Sequence, residues 1–309
     1  MDNKVPTVNL APNNFDFTSY AETRRILIEN KLAEYLAFNE PEILWESMRY
    51  SVLSGGKKLR ALLCLASAEG ILGLNGDIEL FLPLSCAIEM VHAMSLIHDD
   101  LPALDNDDYR RGKLTNHKVY GDAIALLAGD ALLMLATETI IEKTPKTINQ
   151  ALLLKVISRF ANAIGAQGMV GGQILDLNFT GGSNDFGKNK TNQIEAKIVE
   201  NIHQGKTGAL IKFSVWSGAT LAGANNEQLD LLEEFADKLG LAFQIADDLL
   251  DCTGNLATLG KTPGKDQAAG SVNAKAASNL PLAHLLKYIS FLLFSAESIN
   301  RFLTKNMYS

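Results

Sequence analysis

The sequence predicts an all-α fold, a single-domain helical bundle. Three observations carry that expectation. From Tyr20 onward, apolar residues recur at helical spacing in one segment after another, and no stretch alternates long enough to make a useful strand. The apolar runs are rich in Leu, Ala and Ile, and only 8 Pro interrupt 309 residues. With 47% of positions hydrophobic, a chain of this length can bury a substantial core as one large domain or two small ones.

Taken in order, Met1 to Phe17 is a polar lead-in, and amphipathic segments follow. Breaks fall at Ser54-Gly55-Gly56, Gly73 to Gly76, Pro102, Gly112, Thr180 to Lys190, Gly223 to Asn226, and Gly254 to Gly270. Gly and Pro are the strongest local interrupters of a periodic pattern. At a usual helix length of ~11 to 20 residues, the intervals hold about ten helices. No repeat appears at a solenoid period. The longest membrane candidate, Ala123 to Ala136, is broken by Asp130, so no stretch reaches the ~18 uninterrupted apolar residues of a span. The opening Met1-Asp2-Asn3-Lys4-Val5-Pro6 lacks the order of a signal peptide. Cys64, Cys86 and Cys252 are odd in number, which points to reduced thiols and a cytoplasmic location. A net charge of -7 argues against nonspecific nucleic-acid binding, so an anionic partner has to be held by local basic residues and metal.

Two acid clusters, each on an apolar helix, carry the chemistry. The first is His98-Asp99-Asp100-Leu101-Pro102-Ala103-Leu104-Asp105, followed by Asp107, Asp108, Arg110 and Arg111. The second is Gln244-Ile245-Ala246-Asp247-Asp248-Leu249-Leu250-Asp251. Carboxylates flanked by Ile and Leu are costly to bury unless a cation neutralises them. Oxygen ligands without Cys suit Mg²⁺, which one or two carboxylates hold together with substrate phosphates. Asp247 and Asp251 are four apart, one turn along a single helix face. Asp99 and Asp105 are six apart and would diverge on a continuous helix. Pro102 disfavours helical geometry at Leu101, and a bulge there would return Asp105 to Asp99. Alone, either cluster would read as a solvated helix end. Two of them, with basic residues nearby, suggest one polyphosphate gripped through several metals.

With these motifs in order the chain resembles the trans-prenyl diphosphate synthases, of the geranylgeranyl and farnesyl type. The likeness covers Tyr50 to Gly270. It rests on Gly55-Gly56-Lys57-Lys58-Leu59-Arg60, both aspartate motifs, Met169-Val170-Gly171-Gly172-Gln173 with Asp176, Lys206-Thr207-Gly208, and Gly260-Lys261-Thr262-Pro263-Gly264-Lys265-Asp266. The resemblance implies one synthase domain over 1–309 whose helices surround a central cavity, a homodimer, and condensation of isopentenyl diphosphate with allylic diphosphates to geranylgeranyl diphosphate. It implies metal ligation by Asp99, Asp100, Asp105, Asp247, Asp248 and Asp251, with three Mg²⁺ ions when substrate is bound. Arg110, Lys206, Lys261 and Lys265 would hold the allylic diphosphate, and Lys57, Arg60, His92 and Arg111 the isopentenyl diphosphate. Lys206, Thr207 and Gln244 would serve the reacting carbons. Met94 and Ser95, just before the first motif, would set product length: relatives making farnesyl carry an aromatic there, and the flexible Met94 leaves a deeper cavity.

Several readings run beside this one. His98 is a core histidine, and Gly171-Gly172 by itself means close helix packing. His92, His98-Asp99 and His117 would also serve a His-Asp phosphohydrolase, which has no use for Asp247-Asp248-Asp251 or Lys206-Thr207. Terpene cyclases share the first motif but typically place Asn and Ser in the second. The chain departs from the pattern after Gly270, where the 271–309 tail diverges, and carries Ala61 and Leu114 where Pro is common. Two alternatives stay in view, a farnesyl diphosphate synthase and, because of that tail, a weak or regulatory subunit.

Overall fold

The structure, a computed structural model, describes residues 16–73, 76–180 and 204–253; the side chains of 179, 180, 204 and 244–253 lie outside that description. The described residues form ten α-helices. The first five are α1 (Phe17–Tyr35), α2 (Glu42–Val52), α3 (Leu59–Leu72), α4 (Leu82–Asp99) and α5 (Asn116–Tyr120). The rest are α6 (Asp122–Lys143), α7 (Gln150–Ile164), α8 (Met169–Thr180), α9 (Ala209–Leu221) and α10 (Asn226–Thr253). A 3-10 turn, Ile78–Phe81, feeds α4, and a π-helical turn, Gln204–Gly208, feeds α9. Local chemistry sets several starts. Asp16 caps α1 by accepting from the Thr18 and Ser19 amides, and Asn149 does the same for α7 through Ala151 and Leu152.

α4 is the axis of the bundle. Every residue from Leu82 to Val91 is buried, as a helix apolar all round must be. α1, α2, α3 and α6 pack on it, while α9 packs on α3 and carries α7 and α10 on its outer sides. Two glycines make these crossings close. A Cβ at Gly129 of α6 would lie 2.1 Å from His98 Nε2, and one at Gly218 of α9 would lie 2.1 Å from the Cys64 carbonyl oxygen of α3. His98 is therefore packed against α6, with Nε2 3.1 Å from the Leu126 carbonyl, but it is partly exposed rather than the core histidine expected.

Two helical stretches, Ile78–Asp99 and Asp122–Lys143, are long and apolar enough to cross a membrane once single polar residues are tolerated. The first is mostly buried in the bundle. The second is α6, which packs one side on α4 and leaves Leu126, Leu127, Met134 and Ile141 exposed on another.

The described residues also contain a β-hairpin that helical periodicity does not announce. Tyr109–Arg110 pairs antiparallel with Lys113–Leu114, with Arg110 opposite Lys113. The two turn residues, Arg111 and Gly112, have φ of 54° and 75°. Paired positive φ values are those of the type I′ turn that matches strand twist. Strands of two residues are too short to show alternation, so only the Gly112 break was visible in the sequence.

Candidate active site

The site is built at the C-terminal end of α4. Asp99 is the last residue of the helix, and the chain then doubles back on itself. The Leu104 amide donates to the Leu101 carbonyl (2.9 Å), Asp105 to Asp99 (2.8 Å) and Asp107 to Asp100 (3.2 Å). Asn106, at the tightest point, takes a positive φ of 49°, which Asn tolerates better than most residues. In this way Asp105 comes back beside Asp99 although six residues separate them.

Lys206 approaches these carboxylates from the π-helical turn. Its Nζ donates to Asp176 Oδ2 of α8 at 2.8 Å. Burial alone would lower the ammonium, but the field of Asp99, Asp176 and Asp105 outweighs it and holds the group above its ordinary range. The approach depends on two glycines. A Cβ on Gly172 would lie 2.2 Å from the Lys206 amide nitrogen, and one on Gly205 would lie 2.9 Å from the Gly172 Cα. Asp176 was visible in the sequence only as part of a motif. An acid in the apolar helix that carries Gly172 was the signal for its role as the Lys206 partner.

The basic side of the site hangs on the hairpin. Arg110 donates from Nε (2.8 Å) and Nη2 (2.6 Å) to Asp100 Oδ1, and Nη2 lies 3.4 Å from Asp107. Burial drives the Asp100 carboxyl up to about 6 despite that pairing. Arg111 donates to the Gly55 carbonyl (2.9 Å) and to Ser54 Oγ (3.4 Å) at the end of α2. A Cβ on Gly56 would lie 2.8 Å from the Arg111 guanidinium carbon. Arg60 Nη1 lies 3.4 Å from His92 Nε2. Burial, then the cations Arg60, Arg111, Lys58 and Arg110, keep His92 neutral. Lys57 is exposed at the head of α3. Lys58 turns inward, donating to the Val52 carbonyl (2.7 Å) with Glu89 at 3.9 Å, and so ties α3 to α4.

Met94 is buried in α4 at 5% exposure, and the Ser95 hydroxyl donates to the His92 carbonyl of its own helix. Thr207 lies beside Lys206 in the π-helical turn. Gln244, Asp247, Asp248 and Asp251 fall on α10, which runs unbroken to Thr253; their side chains lie outside the description, as do Lys261 and Lys265. Among the described residues no group of three His, Cys, Asp or Glu side chains could by itself hold a metal. Asp99 and Asp105 nonetheless fit Mg²⁺, which needs only one or two carboxylates when phosphates complete the shell. The Asp99 carboxyl is raised by burial even with Lys206 and Arg110 near it, a cost that a divalent cation at this place would offset.

The sequence model of the family described as polyprenyl synthetase matches residues 41–284. The chain belongs to the polyprenyl synthetase family. The matched span takes in every site residue discussed above, from Lys57 to Lys265, and the family assignment makes the chain a prenyltransferase. It is 49% identical over 261 residues to a dimethylallyltranstransferase of Fischerella ambigua, covering 84% of this chain and 71% of that one. It is 45% identical over 253 residues to a geranylgeranyl diphosphate synthase of Cyanophora paradoxa, covering 82% and 80%. The fold matches the apo crystal structure of an FPP/GFPP synthase from Zymomonas mobilis with a TM-score of 0.70 at 36% identity, over 93% of this chain and 98% of that one.

Proposed function

We propose that the protein joins isopentenyl diphosphate to an allylic diphosphate (dimethylallyl, geranyl or farnesyl) in a Mg²⁺-dependent reaction that ends at geranylgeranyl diphosphate and pyrophosphate. The observation that carries this reading is the presence of two unlike clusters around the C-terminal half of α4. One is the acidic pair Asp99 and Asp105 with Lys206 on Asp176. The other is the basic set of Arg60, Arg111 and neutral His92. An acid pair suits the metal-bound allylic diphosphate, whose carbon–oxygen bond breaks, and a cationic set suits the anionic diphosphate of isopentenyl diphosphate, whose carbon–oxygen bond stays intact.

Asp99 and Asp105 would hold the ions from this wall, and Asp247, Asp248 and Asp251 from the other. Bound Mg²⁺ supplies Lewis-acid stabilisation of departing pyrophosphate. Arg110, Lys206, Lys261 and Lys265 orient the same diphosphate, so that its carbon–oxygen bond breaks with the electron pair leaving on pyrophosphate. Lys57, Arg60, His92 and Arg111 fix isopentenyl diphosphate with its double bond against the allylic carbon. Thr207 and Gln244 present oxygens to the cation. The proton lost after bond formation goes to pyrophosphate. Asp100 acts through Arg110, whose guanidinium it aims.

The product end is set by Met94, two helical turns or less from Asp99 at about 1.5 Å per residue. The protein works as a homodimer. The exposed apolar side of α6 and the adjoining groove of Ile43, Leu44, Leu127, Ala131 and Met134 support this, since contiguous exposed apolar surface marks interaction sites. Free, fully buried Cys64 and Cys86 are in keeping with a reducing compartment such as the cytoplasm.

A product assay tests the reading. Purified protein receives isopentenyl diphosphate with each starter, first with Mg²⁺ and then with chelator. Chelator-sensitive geranylgeranyl diphosphate is expected. Farnesyl diphosphate as the end product keeps the reaction and removes the length assignment. No elongation by folded protein removes the whole proposal.

A further inference from the structure

We infer that Asn116 is a positioning residue for Arg110 and Arg111: its side chain hangs the arginine hairpin on α2. This rests on the reading of those arginines as diphosphate ligands. Asn116 begins α5 directly after the hairpin and is 3% exposed. Its Nδ2 donates to the Ser47 carbonyl (2.9 Å) and to Ser51 Oγ (2.8 Å), and its Oδ1 accepts from Ser47 Oγ (2.9 Å). Both amide protons and the carbonyl oxygen are thus used on one helix, 65 to 69 residues away in sequence. No other side chain of this size presents two donors and an acceptor in this arrangement.

The neighbouring residues extend the same attachment. Tyr50 OH donates to the Leu114 carbonyl at 2.7 Å, and Arg111 reaches the Gly55 carbonyl past the end of α2. Thr115 closes the other side of the loop: its hydroxyl donates to the Asp107 carbonyl (2.7 Å) and its amide to the Asp108 carbonyl (3.0 Å). α2 is therefore a rail, and the hairpin hangs from it at Asn116, Leu114 and Arg111. Packing supports the attachment on one side only, where the Tyr50 and Tyr120 rings meet edge to face at 5.7 Å. Nearer the arginines a cavity of about 30 Å³ lies between Tyr50, Ser51 and Ser54 on one side and Arg110, Leu114 and Thr115 on the other, and there the hydrogen bonds fix the hairpin. Arg111 also sits at a positive φ, a conformation that persists only where surroundings over-determine it.

The test uses the full-length chain and three variants. Asn116→Ala removes all three bonds, Ser47→Ala removes one and keeps the fold should the first fail to express, and Arg159→Ala breaks an ion pair to Glu233 (2.6 Å) far from the loop. Hydrogen exchange is read across 105–115, and steady-state kinetics are read well below each melting temperature. Asn116→Ala should speed exchange across the loop and lower kcat/KM by ~10- to 100-fold, mainly through KM for isopentenyl diphosphate, as small misplacements of binding groups do. Ser47→Ala should move both readouts the same way by less, and Arg159→Ala should move neither. Unchanged loop exchange in Asn116→Ala and Ser47→Ala overturns the inference whatever the enzyme does. Faster exchange with wild-type KM overturns the link to the arginines. A wild type that elongates nothing removes the functional reading alone, because the exchange result still decides the attachment.

Discussion

Arg110 gives both Nε and Nη2 to a single oxygen of Asp100, at 2.8 and 2.6 Å. The three acids of the first motif are therefore unequal. Asp100 is committed to a guanidinium, while the charges of Asp99 and Asp105 act on Lys206, and those two are the acids proposed to hold an ion. Asp99→Asn should cost ~10²- to 10³-fold in kcat and raise the Mg²⁺ concentration needed for half-maximal rate. Asp100→Asn should leave the Mg²⁺ requirement where it is, raise KM for the allylic diphosphate, and lower thermal stability, since breaking one side of a buried pair strands the other. Magnesium titrations of both variants decide it: an equal shift in the two would make Asp100 a metal ligand after all.

Gly55 and Gly56 offer a matched pair. Both have positive φ, 89° and 97°, so Ala at either position costs ~1–2 kcal/mol of backbone strain. Only at Gly56 would the new methyl meet anything, the Arg111 guanidinium carbon at 2.8 Å; at Gly55 nothing lies within 4 Å. Gly55→Ala should melt earlier with normal kinetics. Gly56→Ala should melt earlier and raise KM for isopentenyl diphosphate by about tenfold, equivalent to about 1.4 kcal/mol. Equal kinetics in the two variants would separate Gly56 from Arg111.

His92 should leave a mark on acid stability. Its burial among Arg60, Arg111, Lys58 and Arg110 holds the imidazole well below its ordinary range. As pH falls through about 6.5, the unfolded chain takes a proton that the folded one refuses. The unfolded state then binds more protons, so stability drops as pH drops. His92→Gln removes this contribution. Between pH 7.5 and 5 its melting temperature should fall less than that of the wild type, and parallel curves would mean that His92 is not held neutral.

The helices were legible because their apolar spacing and their Gly and Pro breaks are local signals, and the return of Asp105 was legible because Pro102 stands between the two acids. What the sequence hid is long-range. Lys58 reads as one more cation in a basic loop until Glu89, buried in the apolar run of α4, is seen opposite it. Asp176 and Lys206 lie 30 residues apart, and nothing in either segment names the other. The hairpin was hidden for a different reason: Tyr109–Arg110 and Lys113–Leu114 are too short for periodicity, and the strain that defines their turn lies in backbone angles at Arg111.

Met94 is the residue proposed to set product length. It lies on α4 five residues before Asp99, and at 5% exposure its side chain is part of the core rather than of an open tunnel wall. A bulkier residue there has two effects that must be told apart. It shortens any chain-holding space below the acids, and it overpacks a filled core, which costs ~1–3 kcal/mol. Met94→Tyr should shift the end product from geranylgeranyl to farnesyl diphosphate, and Met94→Phe should do the same without the hydroxyl. Met94→Ala should move the product the other way, toward longer chains, while also losing stability through the cavity it leaves. The direction of the product shift thus reverses between Ala and the aromatics, whereas stability falls in all three. A product that tracks melting temperature instead of side-chain volume, or that does not change, would take Met94 out of length control.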